Sequence, residues 1–343
     1  MRCFYAPAQA RHAPVSELNR GVLGPPFEAA SRPATVLAAL AAAGFAPAEE
    51  PEAFDDRLIE RVHDADFLRF LRTAHQAWRD LGRDGDALPM CWRGTTMFNP
   101  HGDASLDAWL GHYAFDNMTP ITAHSWIAAR ASADTALAGA QVLAGGATSA
   151  FSLCRPPGHH AGVAAYGGYS FLNTAAIAAQ YLRDHGAARV AVFDPDYHHG
   201  NGTQQIFYDR DDVLYVSIHA DPRTDFPFFS GFADETGNGP GEGRNRNLPL
   251  PRGTDWAAWS DALRDAEATI AAFGPDALVV SLGVDPLDGD PLCAFRFASD
   301  DFRRLGARIA RLGLPTLFVL EGGYQLDLIG DNVARALRGF MGD

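Results

Sequence analysis

Cysteine is scarce in this sequence. Its four residues, Cys3, Cys91, Cys154 and Cys293, lie far apart and form no C-x-x-C pair. That spacing argues against a disulfide framework or a thiolate zinc site. It fits a reducing compartment, with Cys154 and Cys293 read as small buried side chains. Basic residues are also in deficit: 28 Lys+Arg stand against 42 Asp+Glu, a net charge of −14. A field of that sign repels nucleic acid and anionic membranes and attracts small cations. The N-terminus carries no apolar core of the signal-peptide kind. Residues Thr135 to Cys154 are uncharged and long enough to raise the question of a membrane span. Gly139, Gln141, Gly145 and Gly146 interrupt that run, so a helix followed by a short strand is the better reading. The expectation is a cytoplasmic protein with no membrane or nucleic-acid partner.

What remains is ordinary for a globular chain: 343 residues, 47% hydrophobic and 20% charged. Four short apolar runs stand out, Ala150–Leu153, Val190–Phe193, Ala277–Leu282 and Thr316–Leu320, each followed by polar or glycine-rich residues. Each has the length of a strand buried on both faces. A weaker fifth is Val213–Ile218. Helical patterns lie between and after them: Asn173–Arg183, Trp256–Phe273, Asp301–Leu312 and Leu328–Phe340. Arg57–Leu81 is helical in pattern, whereas residues 82–120 mix Gly, Pro, Trp and Asp and read as a loop insertion. Strands alternating with helices predict an α/β fold. A single open-sheet domain over residues 1–343 is expected, its central sheet mostly parallel with helices on both faces. Ligands of such sheets bind beyond the carboxyl ends of the strands. The unusual residues sit there: His159-His160, Asp194 to His199, Asp285 and Tyr324.

Asp196 and His198 are separated by one residue, and in an extended segment residues i and i+2 point to the same side. A carboxylate and an imidazole so placed can share one ion, which Asp285 can complete as a third ligand. Catalytic zinc has three protein ligands and one open position. His159-His160 follows Cys154-Arg-Pro-Pro-Gly, a turn with few backbone freedoms. Imidazole titrates near neutrality, so the pair suits general base and general acid roles. Asp194 can hydrogen-bond one of these imidazoles, raising its basicity and fixing its tautomer. Tyr324 follows Gly322-Gly323, and its phenol can donate to a developing oxyanion.

Four ordered motifs carry a family resemblance: Arg155-Pro-Pro-Gly-His-His, Asp194-Pro-Asp-Tyr-His-His-Gly-Asn-Gly-Thr-Gln, Ser281-Leu-Gly-Val-Asp and Glu321-Gly-Gly-Tyr. They resemble the histone deacetylase family of the arginase–deacetylase superfamily, and within it the bacterial acetylpolyamine amidohydrolases. The resemblance runs from Gly24-Pro-Pro-Phe-Glu to the last helix and includes the insertion near 82–120. It implies that Asp196, His198 and Asp285 hold one zinc ion and that His159 and His160 form a proton-handling dyad. It implies that Tyr324 polarises the acetyl carbonyl, with Asp194 behind His159 and Asn201 behind His160. Tyr169 and Phe226, with Gly168 beside the first, match the aromatic walls of a narrow channel. A potassium ion is implied on Asp194, Asp196, His198, Ser217 and Ile218, partly through main-chain oxygens, with His219 structural beside it. Pro195 and Ser170 depart from the usual residues without disturbing the ligands.

The reaction so implied is amide hydrolysis of a small cationic acetylated amine, giving acetate and a free amine. One dyad histidine takes the water proton, and His160 is assigned to protonate the leaving amine. The resembling enzymes are dimers whose insertion narrows the channel and brings acidic residues to the distal ammonium groups. Asp107 and Asp116 fall in that region here, and Met118 stands at one expected acidic position. Three other readings compete. The first is deacetylation of acetyl-lysine in peptides. The second is an arginase-like ureohydrolase with two manganese ions, which needs Asp-x-His-x-Asp where this chain has Gly200. The third is a non-catalytic binding protein, against which stand all six retained side chains. Two carboxylates and one imidazole also suit iron, cobalt or manganese.

Overall fold

The apolar runs become strands because each offers side chains to two hydrophobic layers at once. In the computed structural model, which describes residues 1–94 and 96–343, nine strands form. They are β1 (Arg2–Phe4), β2 (Glu17–Asn19), β3 (Val22–Gly24), β4 (Ser149–Ser152), β5 (Val190–Asp194), β6 (Val213–Ala220), β7 (Asn245–Leu250), β8 (Ala277–Leu282) and β9 (Thr316–Leu320). Ten α-helices accompany them among the described residues. They are α1 (Arg32–Ala42), α2 (Arg57–Glu60), α3 (Ala65–Asp80), α4 (Leu106–Tyr113), α5 (Ser125–Ala144), α6 (Thr174–Asp184), α7 (Asn201–Phe207), α8 (Trp256–Phe273), α9 (Ser299–Ala310) and α10 (Leu326–Met341).

Seven strands make one sheet in the order β1-β4-β9-β8-β5-β6-β7, and every pairing is parallel. Alternate residues serve opposite faces. Val190, Val192, Val279 and Val319 enter a core with α3, α5 and α6, whereas Ala191, Phe193, Val280 and Phe318 enter a second core with α1, α8, α9 and α10. The expected single open-sheet domain with helices on both faces is thus observed. Two edge strands went unread. β1 has three residues, and β7 (Asn-Arg-Asn-Leu-Pro-Leu) is polar and carries Pro249, which an edge tolerates.

The expected helices form with identifiable stops and starts. Asp255 caps α8 by accepting the Ala258 N–H at 3.0 Å, and Gly274 ends it at φ +62°. The Arg57–Leu81 pattern splits because Asp64 caps a new helix, accepting from Asp66 and Phe67 N–H. Within 82–120, where the composition predicts a loop, residues Leu106–Tyr113 form α4; Thr95 lies outside the described residues. The uncharged run at 135–154 is the end of buried α5 followed by β4, and no described helix is long and apolar enough to cross a membrane.

The topology locates the site. From β5 the chain moves outward to β6 and β7; from β8 it moves the other way to β9, yet β5 and β8 are neighbours. The connections leave these two strands in opposite directions, which opens a crevice beyond their carboxyl ends.

Candidate active site

The segment after β5 and the turn after β8 meet in that crevice. Local hydrogen bonds fold the first: Asp194 Oδ1 accepts the Asp196 N–H (3.3 Å), and Asp196 Oδ1 accepts the His198 N–H (2.9 Å). Neighbouring backbone fixes the outer oxygens, with Gly322 N–H donating to Asp196 Oδ2 (2.9 Å) and Tyr197 N–H to Asp285 Oδ1 (3.0 Å). The inner oxygens face His198 Nδ1, at 3.3 Å from Asp196 and 3.1 Å from Asp285. One ligand atom from each of the three lies within 4.8 Å of the others. Glycine makes the room: a Cβ at Gly283 would stand 2.0 Å from Asp196 Oδ2, and one at Gly322 2.3 Å from Asp285 Oδ2.

The charges require a partner. Both carboxylates are fully buried. Burial, and then the Asp196 charge, push the Asp285 carboxyl up to about 7. Two adjacent buried carboxylates are costly unless a cation joins them. A hard donor set of two carboxylates and one imidazole therefore fits a single divalent ion.

The histidine pair stands beside this cluster with rings 4.1 Å apart. His159 Nδ1 donates to Asp194 Oδ2 at 3.0 Å, and the Tyr215 hydroxyl donates to the same oxygen at 2.9 Å. His160 Nδ1 donates to Asn201 Oδ1 at 2.8 Å, which leaves its Nε2 bare toward the cavity. The two imidazoles differ electrostatically. Burial opposes charge on both, but Asp194 and Asp196 raise His159 to about 10, whereas burial and the cationic neighbours His159 and His198 hold His160 well below the ordinary imidazole value.

Tyr324 closes the other side. Asp290 Oδ2 accepts the Tyr324 N–H (2.7 Å) and the Gln325 N–H (3.1 Å). The buried Arg32 donates to Glu321 O (2.6 Å) and Gly323 O (2.9 Å), gripping the Gly-Gly turn. Burial pushes the Tyr324 phenol well above its ordinary pKa, so it stays a donor.

His160, His198, Tyr324, Tyr169 and Phe226 line one cavity of about 710 Å³. The Tyr169 ring lies 5.7 Å from that of Tyr324, and the Phe226 ring meets His160 edge-on at 5.0 Å. Gly168 passes so close to His160 that a Cβ would fall 2.2 Å from its ring. Two expected substrate residues are not brought to this cavity. Asp107 makes a two-pronged ion pair with Arg83 (2.6 and 2.7 Å), which consumes its charge. Asp116 stands behind the Tyr169 wall, accepting the N–H groups of Met118 and Gly168. The carboxylates that do line the cavity are Glu17 and Asp225, with Arg20 and Arg252 among the neighbours. Asp194 and Ser217 are register partners across β5 and β6, with Ile218 next along, and Ser217 Oγ bonds His219 Nδ1 at 2.7 Å.

Sequence reasoning missed the supports. Glu321 Oε2 accepts the Gly158 and His159 N–H groups (2.6 and 3.1 Å). Glu28 Oε1 joins Arg32 (2.9 Å) and Arg155 (2.8 Å) in a buried triad. The available signal was position: Glu321 opens the Glu-Gly-Gly-Tyr motif, Arg155 opens Arg-Pro-Pro-Gly-His-His, and Asp290 repeats the Asp-Pro-Leu of Asp285.

Together these features define an open-sheet α/β protein with a candidate acidic cation site at its switch point. The histone deacetylase domain profile matches residues 26–340, and the chain belongs to that family. It is 50% identical over 342 residues to acetylpolyamine amidohydrolase 2 of Pseudomonas aeruginosa, covering 100% of this chain and 99% of the relative. It is 44% identical to the acetylpolyamine amidohydrolase of Mycoplana ramosa, with 100% of both chains covered. Among solved structures it resembles the acetylpolyamine aminohydrolase of Burkholderia pseudomallei, with TM-score 0.94, 43% identity and 99% and 98% of the two chains covered.

Proposed function

We propose that this protein is a zinc-dependent amidohydrolase that removes acetyl groups from N-acetylated polyamines, releasing acetate and free amine. The observation that carries the reading is the cluster of Asp196, His198 and Asp285 with the histidine pair beside it, opening through His160, His198 and Tyr324 onto one cavity. Full-length similarity to proteins named acetylpolyamine amidohydrolases supports the substrate class.

Asp196, His198 and Asp285 would hold the zinc ion, which when bound would supply Lewis acidity toward the acetyl carbonyl and toward water. The chain's own groups move the protons. His160, neutral and with Nε2 bare, accepts the proton of the attacking water and hands it to the departing amine. Asn201 fixes that tautomer without adding charge. His159, made basic by Asp194, offers a fixed positive charge beside the His160 ring, 4.1 Å away. Tyr324 donates its phenolic hydrogen to the carbonyl oxygen. Tyr169 and Phe226 confine the alkyl chain, and the net charge of −14 draws in a cationic substrate. The same reading puts potassium on Asp194, Asp196, His198, Ser217 and Ile218, and a homodimer on the exposed apolar residues of 82–120, where Phe98 is 93% exposed.

The test is a panel of acetylputrescine, acetylcadaverine, acetylspermidine, acetylspermine and acetyl-lysine peptides. It uses protein stripped by chelator and reloaded with zinc, iron, cobalt or manganese. Acetate release from the amines, absent in stripped protein and restored by one equivalent of metal, is expected. Faster turnover of peptides than of every acetylated amine would refute the substrate assignment, and turnover by stripped protein the metal assignment.

A further inference from the structure

The end of the 82–120 segment runs alongside residues 166–170 and supports both channel walls. Tyr166 N–H donates to Tyr113 O (2.9 Å) and Phe115 N–H to Tyr166 O (3.1 Å). Side chains then continue the ladder. Asp116 Oδ2 accepts the Gly168 N–H, while its Oδ1 is held by Met118 N–H at 3.0 Å. Thr119 Oγ1 accepts the Tyr169 N–H at 2.9 Å. On the opposite wall, the Phe115 ring stacks on Phe226 at 5.9 Å.

These contacts hold an unfavourable backbone. Gly168 has φ +55° and Tyr169 φ +63°. Glycine adopts the left-handed region freely, but a bulky side chain there needs its surroundings to enforce it. The N–H groups of these two residues are the ones Asp116 and Thr119 bind. Glu17 Oε1 receives the far end of Tyr169, its hydroxyl, at 3.2 Å. Gly167 and Ser170 also close this turn by exchanging N–H bonds (3.1 and 2.9 Å), but a turn so closed forms at negative φ too, so with the amide anchors lost Tyr169 can return to negative φ. Its ring then leaves Tyr324 and the channel widens.

We propose that Asp116 and Thr119 are positioning residues. They hold Gly168 and Tyr169 in the left-handed turn and so set the channel width that favours slender acetylated alkylamines over acetyl-lysine in a peptide. The inference rests on the deacetylase reading of the cavity. It gives Asp116 a task other than meeting the substrate's ammonium group.

The test is the ratio of kcat/KM for acetylputrescine to kcat/KM for an acetyl-lysine peptide. This ratio cancels differences in the fraction of active protein, so general destabilisation does not move it. Thr119→Val, which removes the acceptor at constant volume, and Asp116→Ala are expected to lower the ratio by about tenfold. Thr119→Ser, which keeps the oxygen, should restore it. Crystal structures of the two losing variants should show Tyr169 outside the left-handed region. A ratio unchanged in folded Thr119→Val, with Tyr169 still at positive φ, overturns the proposal. Should Asp116→Ala not fold, the Thr119 pair decides alone. If the unaltered protein hydrolyses neither substrate, the deacetylase reading fails, and the Tyr169 backbone in Thr119→Val still decides the clamp.

Discussion

Glu321→Gln and Glu321→Ala separate what a buried carboxyl does by its shape from what it does by its charge. Glu321 is fully buried, and one oxygen, Oε2, accepts both the Gly158 and the His159 N–H; Oε1 has no partner. Glutamine presents an oxygen to the same two donors, whereas alanine presents nothing. Two buried N–H groups left without acceptors cost about 1–3 kcal/mol each, at any pH. The charge has a different signature. Burial, with Asp194 adding to it, pushes the Glu321 carboxyl up to about 7 from an ordinary 4.5. The folded chain therefore binds this proton more tightly than the unfolded chain, and stability is lost as pH rises from 4.5 through 7. The full loss is about 3 kcal/mol, and glutamine, which does not titrate, escapes it. Thermal melts of the three proteins at pH 5.5 and pH 8.5, at equal ionic strength, are the assay. The Tm of Glu321→Gln relative to the unaltered protein should rise by several degrees from the lower pH to the higher. Glu321→Ala should lie below Glu321→Gln at both, with a lower kcat because the turn carrying His159 has lost its anchor. A Gln difference that is the same at both pH values, or an alanine variant as stable as the glutamine variant, would refute the reasoning.

Tyr324→Phe removes the proposed donor to the carbonyl oxygen while leaving the ring in place. Its kcat for an acetylated amine should fall by on the order of 10² to 10³ with KM little changed, as steady-state kinetics would show. Three imidazoles outside the cluster, His12, His63 and His219, are lowered to about 4, burial being the first cause of each. Their contribution is complete above pH 6.5 and is lost as pH falls from 6.5 toward 4, about 3 kcal/mol for each. Because the carboxyls of Glu321 and Asp285, raised to about 7, act in the opposite sense over this interval, the test is a difference: His63→Gln should lose less Tm than the unaltered protein between pH 6.5 and 4, and an equal loss would refute it.

Strands and the candidate site residues beyond them stand out in the sequence for one shared reason. A strand buried on both faces must be an apolar run, and a reactive residue placed after it stands out against that run, as Asp194 does after Val190–Phe193. The edge strands carry no such contrast. Arg246 of β7 pairs with Asp265 of α8, a contact between residues nineteen apart that no local pattern announces. The acidic residues of the insertion failed for a related cause. Asp107 and Asp116 look alike in sequence, yet one is neutralised by Arg83 and the other turned toward Gly168, and only the fold decides which.

The supports of the site were hidden more deeply, because a charged residue read alone is presumed to face water. Arg32, Arg155 and Glu28 do the opposite: all three are buried, and they meet at Glu28 Oε1. Arg32 extends from there to the backbone of the Glu321–Gly323 turn, and Arg155 to Gln9 O. One carboxylate thus joins the turn that presents Tyr324 to the turn that presents the histidine pair. Removing a single member would strand a buried charge, which is far more damaging than losing a surface pair. The sequence held the clue in the charges at the heads of its motifs, Arg155 before the prolines and Glu321 before the glycines. A charge fixed beside residues that bend the backbone sharply has little freedom to reach solvent. That makes it a better candidate for architecture than for chemistry.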